Sequence, residues 1–173
     1  MADEQVANRV YFSLGSNIEA EKNLPAAVRQ LQAFGNVAAT STVYETLPVG
    51  FADQPNFLNA AALLETPHTL AEILDVVVPA VERSLARVRD PAHPDGPRTI
   101  DLDVLLFNDV ITRTERHTLP DPDILKHAFV AVPLAELDPS FLHPVTHETL
   151  ATIAARLPIA AGDMRPRTDV RLA

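Results

Sequence analysis

The sequence predicts an α+β fold built on an antiparallel sheet, with strands and helices in the order β-α-β-β-α-β followed by C-terminal additions. Segments rich in β-branched and aromatic residues alternate with segments whose apolar residues recur at helical spacing. The chain of 173 residues, 47% hydrophobic and 21% charged, also has the size and composition of one packed globular domain. We therefore expect a single domain over residues 1–173, with its core between about residues 8 and 157.

The first strand and the first helix are predicted near the amino terminus. Residues 9–14 (RVYFSL) are β-branched and aromatic, which is typical of a strand. Apolar residues at helical spacing predict a helix over residues 23–34, with Asn23 as its cap. Pro25 then falls in the first turn, where its missing N–H costs little, and Gly35 ends the helix.

Two strands and a second helix follow. Residues 37–44 and 56–65 supply the β-branched and apolar runs expected of strands. Thr69 followed by Glu72 is a capping-box pattern, which predicts a helix start, and the apolar period continues beyond it. Pro79 lies inside this helix and is expected to kink it or to end its first half.

The last strand of the pattern is predicted at residues 99–107, after a loop at 89–97 that contains three prolines. This completes the ferredoxin-like order, in which the sheet is antiparallel and both helices pack on one face. The remainder is predicted to add an edge strand, a short helix near residues 123–129 and a terminal helix near 149–157. The tail at 162–173 has little apolar content and is expected to be partly mobile.

Charge and motif content exclude several classes of function. With 14 Lys and Arg against 23 Asp and Glu, the formal net charge of −9 argues against nucleic-acid or membrane partners, so any phosphate binding must be local. The sequence has no cysteine, no P-loop and no G-x-G-x-x-G dinucleotide motif. It also lacks a signal-peptide pattern and an apolar run long enough to cross a membrane, which predicts a cytoplasmic protein.

The most informative motif is the pair Asp101-x-Asp103 inside the last predicted strand. Asp is depleted in strands, so two of them in one strand indicate a function. Residues two apart share one face, which places both carboxylates side by side, while Leu102, Val104 and Leu106 share the opposite, core-facing side. Such a pair suits Mg²⁺, which binds through one or two carboxylates and substrate phosphates. A solvated strand edge with two surface acids is the structural alternative.

Arginines are concentrated just before this strand. Arg83, Arg87, Arg89 and Arg98 occur there, with Glu82 among them. The guanidinium group binds phosphate in a bidentate manner, so Mg²⁺ at the carboxylate pair and these arginines would share the phosphates of one ligand. The alternative is a helix end whose arginines interact only with the helix dipole.

A second cluster lies in the Pro- and Gly-containing stretch at 44–59, YETLPVGFADQPNFLN. By the same spacing rule, Phe57 and Asn59 share one face of a strand. An aromatic plane beside an amide with donor and acceptor groups suits a flat heterocycle with a polar edge. A core Phe beside an Asn that satisfies a turn is the alternative.

Taken together, these stretches resemble the 6-hydroxymethyl-7,8-dihydropterin pyrophosphokinase family of folate biosynthesis. The resemblance spans roughly residues 10 to 145, and its most specific motif is the one that contains the two Asp residues. The motifs that carry it are SLGSN at 13–17, YETLPVG at 44–50, DQPNFLNA at 53–60, RVR at 87–89, GPRTIDLDVLLF at 96–107 and FVAVPLAEL at 129–137.

The resemblance implies a monomeric enzyme that transfers pyrophosphate from ATP to the pterin hydroxymethyl group and releases AMP. It implies two Mg²⁺ ions on Asp101 and Asp103, which activate the hydroxyl and neutralise the triphosphate. The residues expected to act in catalysis are Asp101, Asp103, Arg87 and Arg98. Those expected to bind ATP are Glu82, Arg87, Arg98, Arg116, Lys126 and His127, and those expected to hold the pterin, with its ring between the two phenylalanines, are Thr46, Pro48, Val49, Phe57, Asn59 and Phe129.

The stretch after the last predicted strand departs from the family pattern. Asp121 stands in a Leu-Pro-Asp stretch where family members usually carry a phosphate-binding His, and Lys126-His127 stands where an Arg is common. Arg116, Lys126 or His127 would then have to compensate for the lost phosphate contact. Two alternatives stay open: a related pterin-binding phosphotransferase paralogue with altered nucleotide use, and a non-catalytic ferredoxin-like binding module.

Overall fold

Apolar strand segments assemble into a six-stranded antiparallel sheet at the centre of the fold. The computed structural model describes residues 6–160 and 162–173. The strands of the sheet are β1 (Asn8–Ser16), β2 (Asn36–Thr40), β3 (Tyr44–Thr46), β4 (Phe57–Thr66), β5 (Asp101–Phe107) and β8 (Arg165–Pro166), and a separate hairpin contains β6 (Thr112–Arg113) and β7 (Thr118–Leu119). Their order is β5-β1-β4-β3-β8, with β2 also paired to β4, which is the ferredoxin-like arrangement that the sequence predicts.

Helices cover both faces of this sheet. Their bounds are α1 (Ala20–Leu31), continued by a 3₁₀ turn (Gln32–Phe34); α2 (Leu70–Glu72), a π-helical turn (Ile73–Val77) and α3 (Val78–Ser84); a 3₁₀ turn (Pro122–Leu125); α4 (Ala128–Leu137); and α5 (Leu150–Arg156). None of the helices in the described part of the chain has the length and apolar content needed to cross a membrane.

The layering creates two apolar cores. Leu63 and Leu64 are neighbours on β4 and point to opposite faces, as strand alternation requires. Leu64 packs in the same core as Val28 of α1, and the helix containing α2 and α3 shares that core. Leu63 packs in the core that contains Leu134 of α4 and Ile153 of α5. The two helices of the β-α-β-β-α-β pattern therefore lie on one face, and the C-terminal helices add a third layer on the other.

Helix α1 begins earlier than the sequence predicts. Its first residue is Ala20, and the preceding Glu19 has a left-handed backbone conformation with φ of 44°. Asn23 does not cap the helix; its side-chain amide donates to the Ile18 carbonyl at 2.6 Å and closes the turn after β1. Pro25 consequently lies inside the helix rather than in its first turn.

The second helix starts as predicted and changes its hydrogen-bond pattern before its proline. Thr69 and Glu72 form the reciprocal capping box, in which Thr69 Oγ1 accepts the Glu72 N–H at 3.2 Å. Pro79 has no N–H to donate, and the turn at Ile73–Val77 just before it is π-helical. The wider turn accommodates the proline without ending the helix.

The predicted strand at 37–44 is two strands, β2 and β3, which both pair with β4. Ser41 lies at the break between them. Its hydroxyl accepts the Ala61 N–H at 2.8 Å, in place of a backbone carbonyl. This side-chain bond interrupts the regular ladder, so β2 ends at Thr40 and β3 begins at Tyr44.

A β-bulge in β5 changes the face on which one predicted core residue lies. Tyr11 pairs with Leu106 and Phe12 pairs with Val104, which leaves Leu105 as the extra residue. Val104, before the bulge, packs in the α1 core as predicted. Leu106 packs in the α4 core instead, so the expected strict alternation was wrong for this residue.

The C-terminal tail at 162–173 lies against the outer edge of the sheet, where β8 pairs with β3. Val170 and Leu172 are buried in the α1 core. The few apolar residues of the tail therefore dock it on the core. The low apolar content predicted a partly mobile tail, because it gives no indication of where these few residues pack.

Candidate active site

Strand register brings the candidate residues to one end of the sheet. In the β1–β5 pairing, Ser13 lies opposite Asp103 and Gly15 lies opposite Asp101. Gly15 also pairs with Asn59 of β4, and a Cβ on Gly15 would lie 3.2 Å from the Asn59 Oδ1. The glycine therefore leaves room between the amide and the acid pair. The two clusters that the sequence singles out face the same cleft.

The two carboxylates have different surroundings. Asp101 accepts hydrogen bonds from Arg87 Nη1 and Arg98 Nη1, each at 3.2 Å. Asp103 is solvent-exposed in the cleft and has no salt-bridge partner among residues 6–160 and 162–173. Desolvation by the surrounding protein, then the charges of Asp101 and Asp121, raise the pKa of Asp103 to about 7. Negative charge is therefore left uncompensated at Asp103.

Arg87 and Glu82 form a buried support behind Asp101. The Arg87 side chain is 7% exposed, and its Nη1 also donates to the Ile100 carbonyl at 2.6 Å. Glu82 Oε1 lies 3.5 Å from that nitrogen, and Glu82 Oε2 accepts Arg89 Nη2 at 2.9 Å. Glu82 thus contacts arginines rather than the cleft. Arg87 Nε is buried without a hydrogen-bond partner among the described residues.

A cavity of about 240 Å³, which we call the ring cavity, lies over this end of the sheet. Five of the six residues expected to hold the pterin line it, together with both carboxylates. Pro48, the sixth, lies between two lining residues but is not itself part of the lining. The lining residues are Ser13, Gly15, Thr46, Leu47, Val49, Phe57, Asn59, Asp95, Arg98, Asp101, Asp103, Asp123, His127, Phe129 and Val130.

Hydrogen bonding and stacking fix the polar edge and one aromatic face of the ring cavity. Asn59 Nδ2 donates to Thr46 Oγ1 at 2.6 Å, and both residues are buried. The Arg98 guanidinium lies 5.5 Å from the centroid of the Phe57 ring. Arg98 therefore contacts both the aromatic side of the cavity and, through Asp101, its acidic side.

A second groove, which we call the hairpin groove, adjoins the ring cavity at the acid pair. It has a volume of about 390 Å³ and lies between the second helix and the β6–β7 hairpin. Leu74 and Val78 line its apolar side, and Arg116 contributes a positive charge. Asp103 and Asp123 line both the groove and the ring cavity. Ligands in the two spaces would meet at Asp103.

The three residues expected to compensate for Asp121 lie apart from one another. His127 lines the ring cavity, where its ring stacks on Phe129 with centroids 4.9 Å apart. Arg116 lines the hairpin groove, and Lys126 is exposed outside both linings. His127 is thus better placed for a ring ligand than the sequence suggests.

Asn17 connects two loops at the cleft, a role that no sequence pattern indicates. Its Oδ1 accepts the Arg98 N–H at 2.9 Å, and its Nδ2 donates to Gln54 Oε1 at 2.9 Å. Gln54 Nε2 in turn donates to the Asp95 carbonyl at 2.7 Å. Gly50, with φ of 82°, packs so closely that a Cβ would lie 2.5 Å from Asp95 Oδ2. These contacts hold the loops that carry the cavity lining.

Asp121 and Asp123 are site residues that the sequence analysis did not assign to a ligand. Asp121 Oδ1 accepts the Asp123 N–H at 2.8 Å and caps the 3₁₀ turn at Pro122–Leu125. Desolvation raises the pKa of Asp121, although this hydrogen bond opposes the shift. The Asp-Pro-Asp pattern predicts a turn, but it gives no indication that the turn lies beside Asp103.

Known enzymes are similar in sequence to this chain over most of its length. The profile of the family described as 7,8-dihydro-6-hydroxymethylpterin-pyrophosphokinase (HPPK) matches residues 11–139. The 2-amino-4-hydroxy-6-hydroxymethyldihydropteridine pyrophosphokinase of Bacillus subtilis is 41% identical over 133 residues, which cover 75% of this chain and 78% of that protein. The protein of the same name from Methylorubrum extorquens is 40% identical over 152 residues, covering 86% of this chain and 93% of that protein.

Longer proteins contain a similar region. The folic acid synthesis protein FOL1 of Dictyostelium discoideum is 30% identical over 155 residues, which cover 87% of this chain and 23% of that protein. A crystal structure of a Plasmodium falciparum HPPK-DHPS variant has a TM-score of 0.69, covering 89% of this chain and 44% of its own, and its 15% identity supports the fold alone. Because the family profile matches most of the sequence, the chain belongs to the 7,8-dihydro-6-hydroxymethylpterin-pyrophosphokinase family.

Proposed function

We propose that this ATP-dependent pyrophosphokinase binds 6-hydroxymethyl-7,8-dihydropterin in the ring cavity and ATP in the hairpin groove. The enzyme transfers pyrophosphate from ATP to the pterin hydroxymethyl group in folate biosynthesis. The hydroxymethyl oxygen loses its proton to solvent and bonds to the β-phosphorus as the bond from that phosphorus to the oxygen bridging the α-phosphate breaks, so that AMP leaves. The observation that carries the proposal is that Asp103 lines both spaces.

For the pterin, the ring cavity supplies stacking surfaces and a polar edge. Phe57 and Phe129 would flank the ring, and aromatic stacking suits a flat heterocycle. Because Asn59 Nδ2 already donates to Thr46, the other side-chain amide atom, Asn59 Oδ1, would accept a hydrogen bond from the pterin edge. The loop at 48–49 would cover the side of the ring cavity that faces solvent.

For ATP, arginines would bind the phosphates on the Asp101 side. Arg98 lines the ring cavity and would contact phosphate there, whereas Arg87 lines neither space and would support Asp101 from behind. Glu82 would act through Arg87 by holding its guanidinium, and Arg116 would face the nucleotide from the hairpin groove. Of the residues that the sequence predicts to bind ATP, Arg116 lines the hairpin groove, and Arg98 and His127 line the ring cavity beside it. We propose these three for contact with ATP at the junction of the two spaces, and Glu82, Arg87 and Lys126, which line neither space, as their support.

The acid pair fits magnesium. In the described residues no group of three or more His, Cys, Asp and Glu side chains is arranged to hold a metal ion. A pair of carboxylates suits a cation that completes its shell with water and phosphate oxygens. We propose that Asp101 and Asp103 hold two Mg²⁺ ions, which when bound would activate the hydroxymethyl group and neutralise the triphosphate. Arg87 and Arg98 would orient Asp101 for that role.

We also propose that the enzyme works as a monomer in the cytoplasm on these two small molecules. The residue types that the proposed chemistry requires, two carboxylates, arginines and aromatic side chains, are all present in the lining that this chain supplies. The absence of cysteine fits a reducing compartment. Analytical ultracentrifugation of the active enzyme tests the monomer, because one chain has a mass of 18.8 kDa and a dimer twice that value.

The assay that tests the function mixes protein, Mg²⁺, ATP and the hydroxymethyl-dihydropterin and measures AMP. We expect AMP from the wild type and a fall of about 10²–10³-fold for Asp103→Ala, because the proposed metal site loses a carboxylate. Asp109→Ala is the matched control, since Asp109 is exposed just after the same strand.

Each other outcome removes a different part of the proposal. Turnover retained by Asp103→Ala at saturating Mg²⁺ would remove the metal assignment. ADP in place of AMP would favour the phosphotransferase paralogue, with Asp121 in the groove as the departure that explains it. Pterin binding without any AMP would favour the non-catalytic binding module.

A further inference from the structure

The segment at 163–172, which we call the C-terminal strap, runs along the outer edge of β3. Its strand β8 pairs with β3, and the Arg167 N–H extends the pairing to the Val43 carbonyl at 2.8 Å. Val170 and Leu172 follow, and both are buried in the α1 core. The strap is therefore docked by backbone pairing at one end and by apolar burial at the other.

Two arginines of the strap hold the outward-facing side chain of β3. Arg165 Nη2 donates to Glu45 Oε2 at 2.6 Å, and Arg167 Nη1 donates to Glu45 Oε1 at 3.0 Å. Arg167 also lies 3.3 Å from Glu21 of α1 and 2.8 Å from Asp169. One carboxylate thus joins β3 to the strap and, through Arg167, to α1.

The opposite side of β3 belongs to the ring cavity. Thr46, directly after Glu45, accepts a hydrogen bond from the side-chain amide of Asn59. Leu47, which lines the cavity, donates its backbone N–H to Asp163 Oδ1 of the strap at 3.4 Å. β3 is three residues long. A strand this short makes few hydrogen bonds to a single neighbour, so a second partner adds substantially to its order. The strap is that second partner.

We infer that the C-terminal strap positions the pterin site: by holding Glu45 and the backbone of β3, it keeps Thr46 and Leu47 in place against Asn59. This inference rests on the pterin site proposed above. The strap lies beyond residues 11–139, which match the family profile, so the match itself assigns it no role. Its arginines act on the cavity only through β3, since they do not line it.

The test compares Arg165→Ala/Arg167→Ala with the control Arg29→Ala/Arg156→Ala, which removes the same charge elsewhere. Arg29 is exposed on α1, and Arg156, the last residue of α5, pairs with Glu148. Binding of 6-hydroxymethyl-7,8-dihydropterin is followed by fluorescence titration with Mg²⁺ and a non-hydrolysable ATP analogue present. The analogue is titrated separately, and all measurements are made well below the Tm of each variant.

We expect the pterin Kd of the strap variant to rise roughly five- to tenfold, because two ion pairs on one carboxylate are lost. The Kd for the ATP analogue, and both values for the control, should change by less than about twofold. An unchanged pterin Kd with a lower Tm would overturn the inference, because the strap would then only stabilise the fold. An equal rise for both ligands would overturn it as well.

If the double variant does not fold, Arg165→Ala alone is measured in the same way. Its side chain is exposed and pairs with Glu45, so a roughly threefold rise in the pterin Kd is expected, and no rise would overturn the inference. Failure of the proposed function has a different signature: the wild type itself would bind no pterin. That result would overturn both the proposed function and the strap inference. Wild-type binding that is unaltered in the strap variants would overturn the strap inference alone.

Discussion

Asp101 and Asp103 show how two identical side chains on one strand face acquire different properties. Arg87 and Arg98 flank the start of β5, so their guanidinium groups donate hydrogen bonds to Asp101 and not to Asp103. Asp103 lies one pleat further along, beside Asp121, and desolvation by the surrounding protein together with like charge raises its pKa. A carboxylate in this position destabilises the folded protein, as expected where side chains serve ligand binding rather than stability.

We therefore expect Asp103→Asn to stabilise the metal-free protein at pH 8. The pKa of Asp103 is raised from 3.8 to about 7, so between these values the folded state binds more protons than the unfolded state. Stability falls as the pH rises through this window, and the penalty is complete above about pH 7. Asn carries no charge, so its gain in unfolding free energy should be about 1 kcal/mol at pH 8, after discounting for solvent exposure, and smaller at pH 5.

Urea denaturation in EDTA at the two pH values measures this gain, with Asp109→Asn as the control. Asp109 is exposed in the turn after β5, so its replacement should change stability at neither pH. If Asp103→Asn were less stable than the wild type at pH 8, the idea that desolvation and like charge make the Asp103 carboxylate destabilising would be wrong.

At the same scale, local spacing predicts only part of the site. Strand alternation is a local property, so Asp101 with Asp103 and Phe57 with Asn59 could be placed side by side from the sequence. Asn17 joins loops that are far apart in the chain, and no local pattern encodes such a meeting point. Residues of this kind are identified only when the chain is folded.

At the scale of elements, the sequence predicts the number and type of strands and helices better than their interruptions. Periodicity identifies β4 and β5 because their apolar runs are long. The break at Ser41 and the bulge at Leu105 arise from one side-chain bond and one extra residue, neither of which alters the apolar pattern enough to be recognised. The docking of β8 on β3 joins two-residue and three-residue strands, which are too short to have a period at all.

The turn before α5 gives a pH-dependent prediction at this scale. His143 is buried, and its Nδ1 accepts the N–H groups of Val145 and Thr146 at 3.2 and 3.1 Å. Desolvation lowers the pKa of His143 below its ordinary value of 6.5. Because the unfolded state binds the proton more readily, neutral His143 makes its full contribution to stability above pH 6.5. That contribution is lost as the pH falls towards the pKa of His143 in the folded state. Protonation of Nδ1 would break both hydrogen bonds.

We expect His143→Asn to reduce this loss, because an Asn Oδ1 accepts the same two N–H groups at any pH. Between pH 7.5 and pH 5, the wild type should lose about 1–2 kcal/mol more unfolding free energy than the variant, the value of the two hydrogen bonds. Urea denaturation at both pH values gives the two differences, and His117→Asn, at an exposed position, is the control. Equal losses in wild type and His143→Asn would show that His143 does not control the pH dependence.

At the scale of the whole molecule, a net charge of −9 has to be reconciled with an anionic nucleotide. Long-range repulsion is screened within about 10 Å at 0.1 M salt, so groups near the cleft decide the affinity. There, Arg87 and Arg98 are partly engaged by Asp101, and Asp103 and Asp121 add negative charge. On this balance the arginines alone do not favour a free triphosphate, and the Mg²⁺ that we propose at the acid pair would supply the positive charge that attracts it.

This balance predicts a thermal stabilisation that depends on the metal. Mg²⁺ with a non-hydrolysable ATP analogue at about a hundredfold excess over Kd should stabilise the native state by about 2.7 kcal/mol, which for a chain of this size raises the Tm by about 5–10 °C. The same analogue in EDTA should raise it by less than about 2 °C, because uncompensated acids oppose the free triphosphate. Differential scanning fluorimetry measures the shifts, and Asp101→Asn/Asp103→Asn should lose the difference between Mg²⁺ and EDTA. Equal shifts with Mg²⁺ and with EDTA in the wild type would mean that the arginines bind the triphosphate without the acid pair.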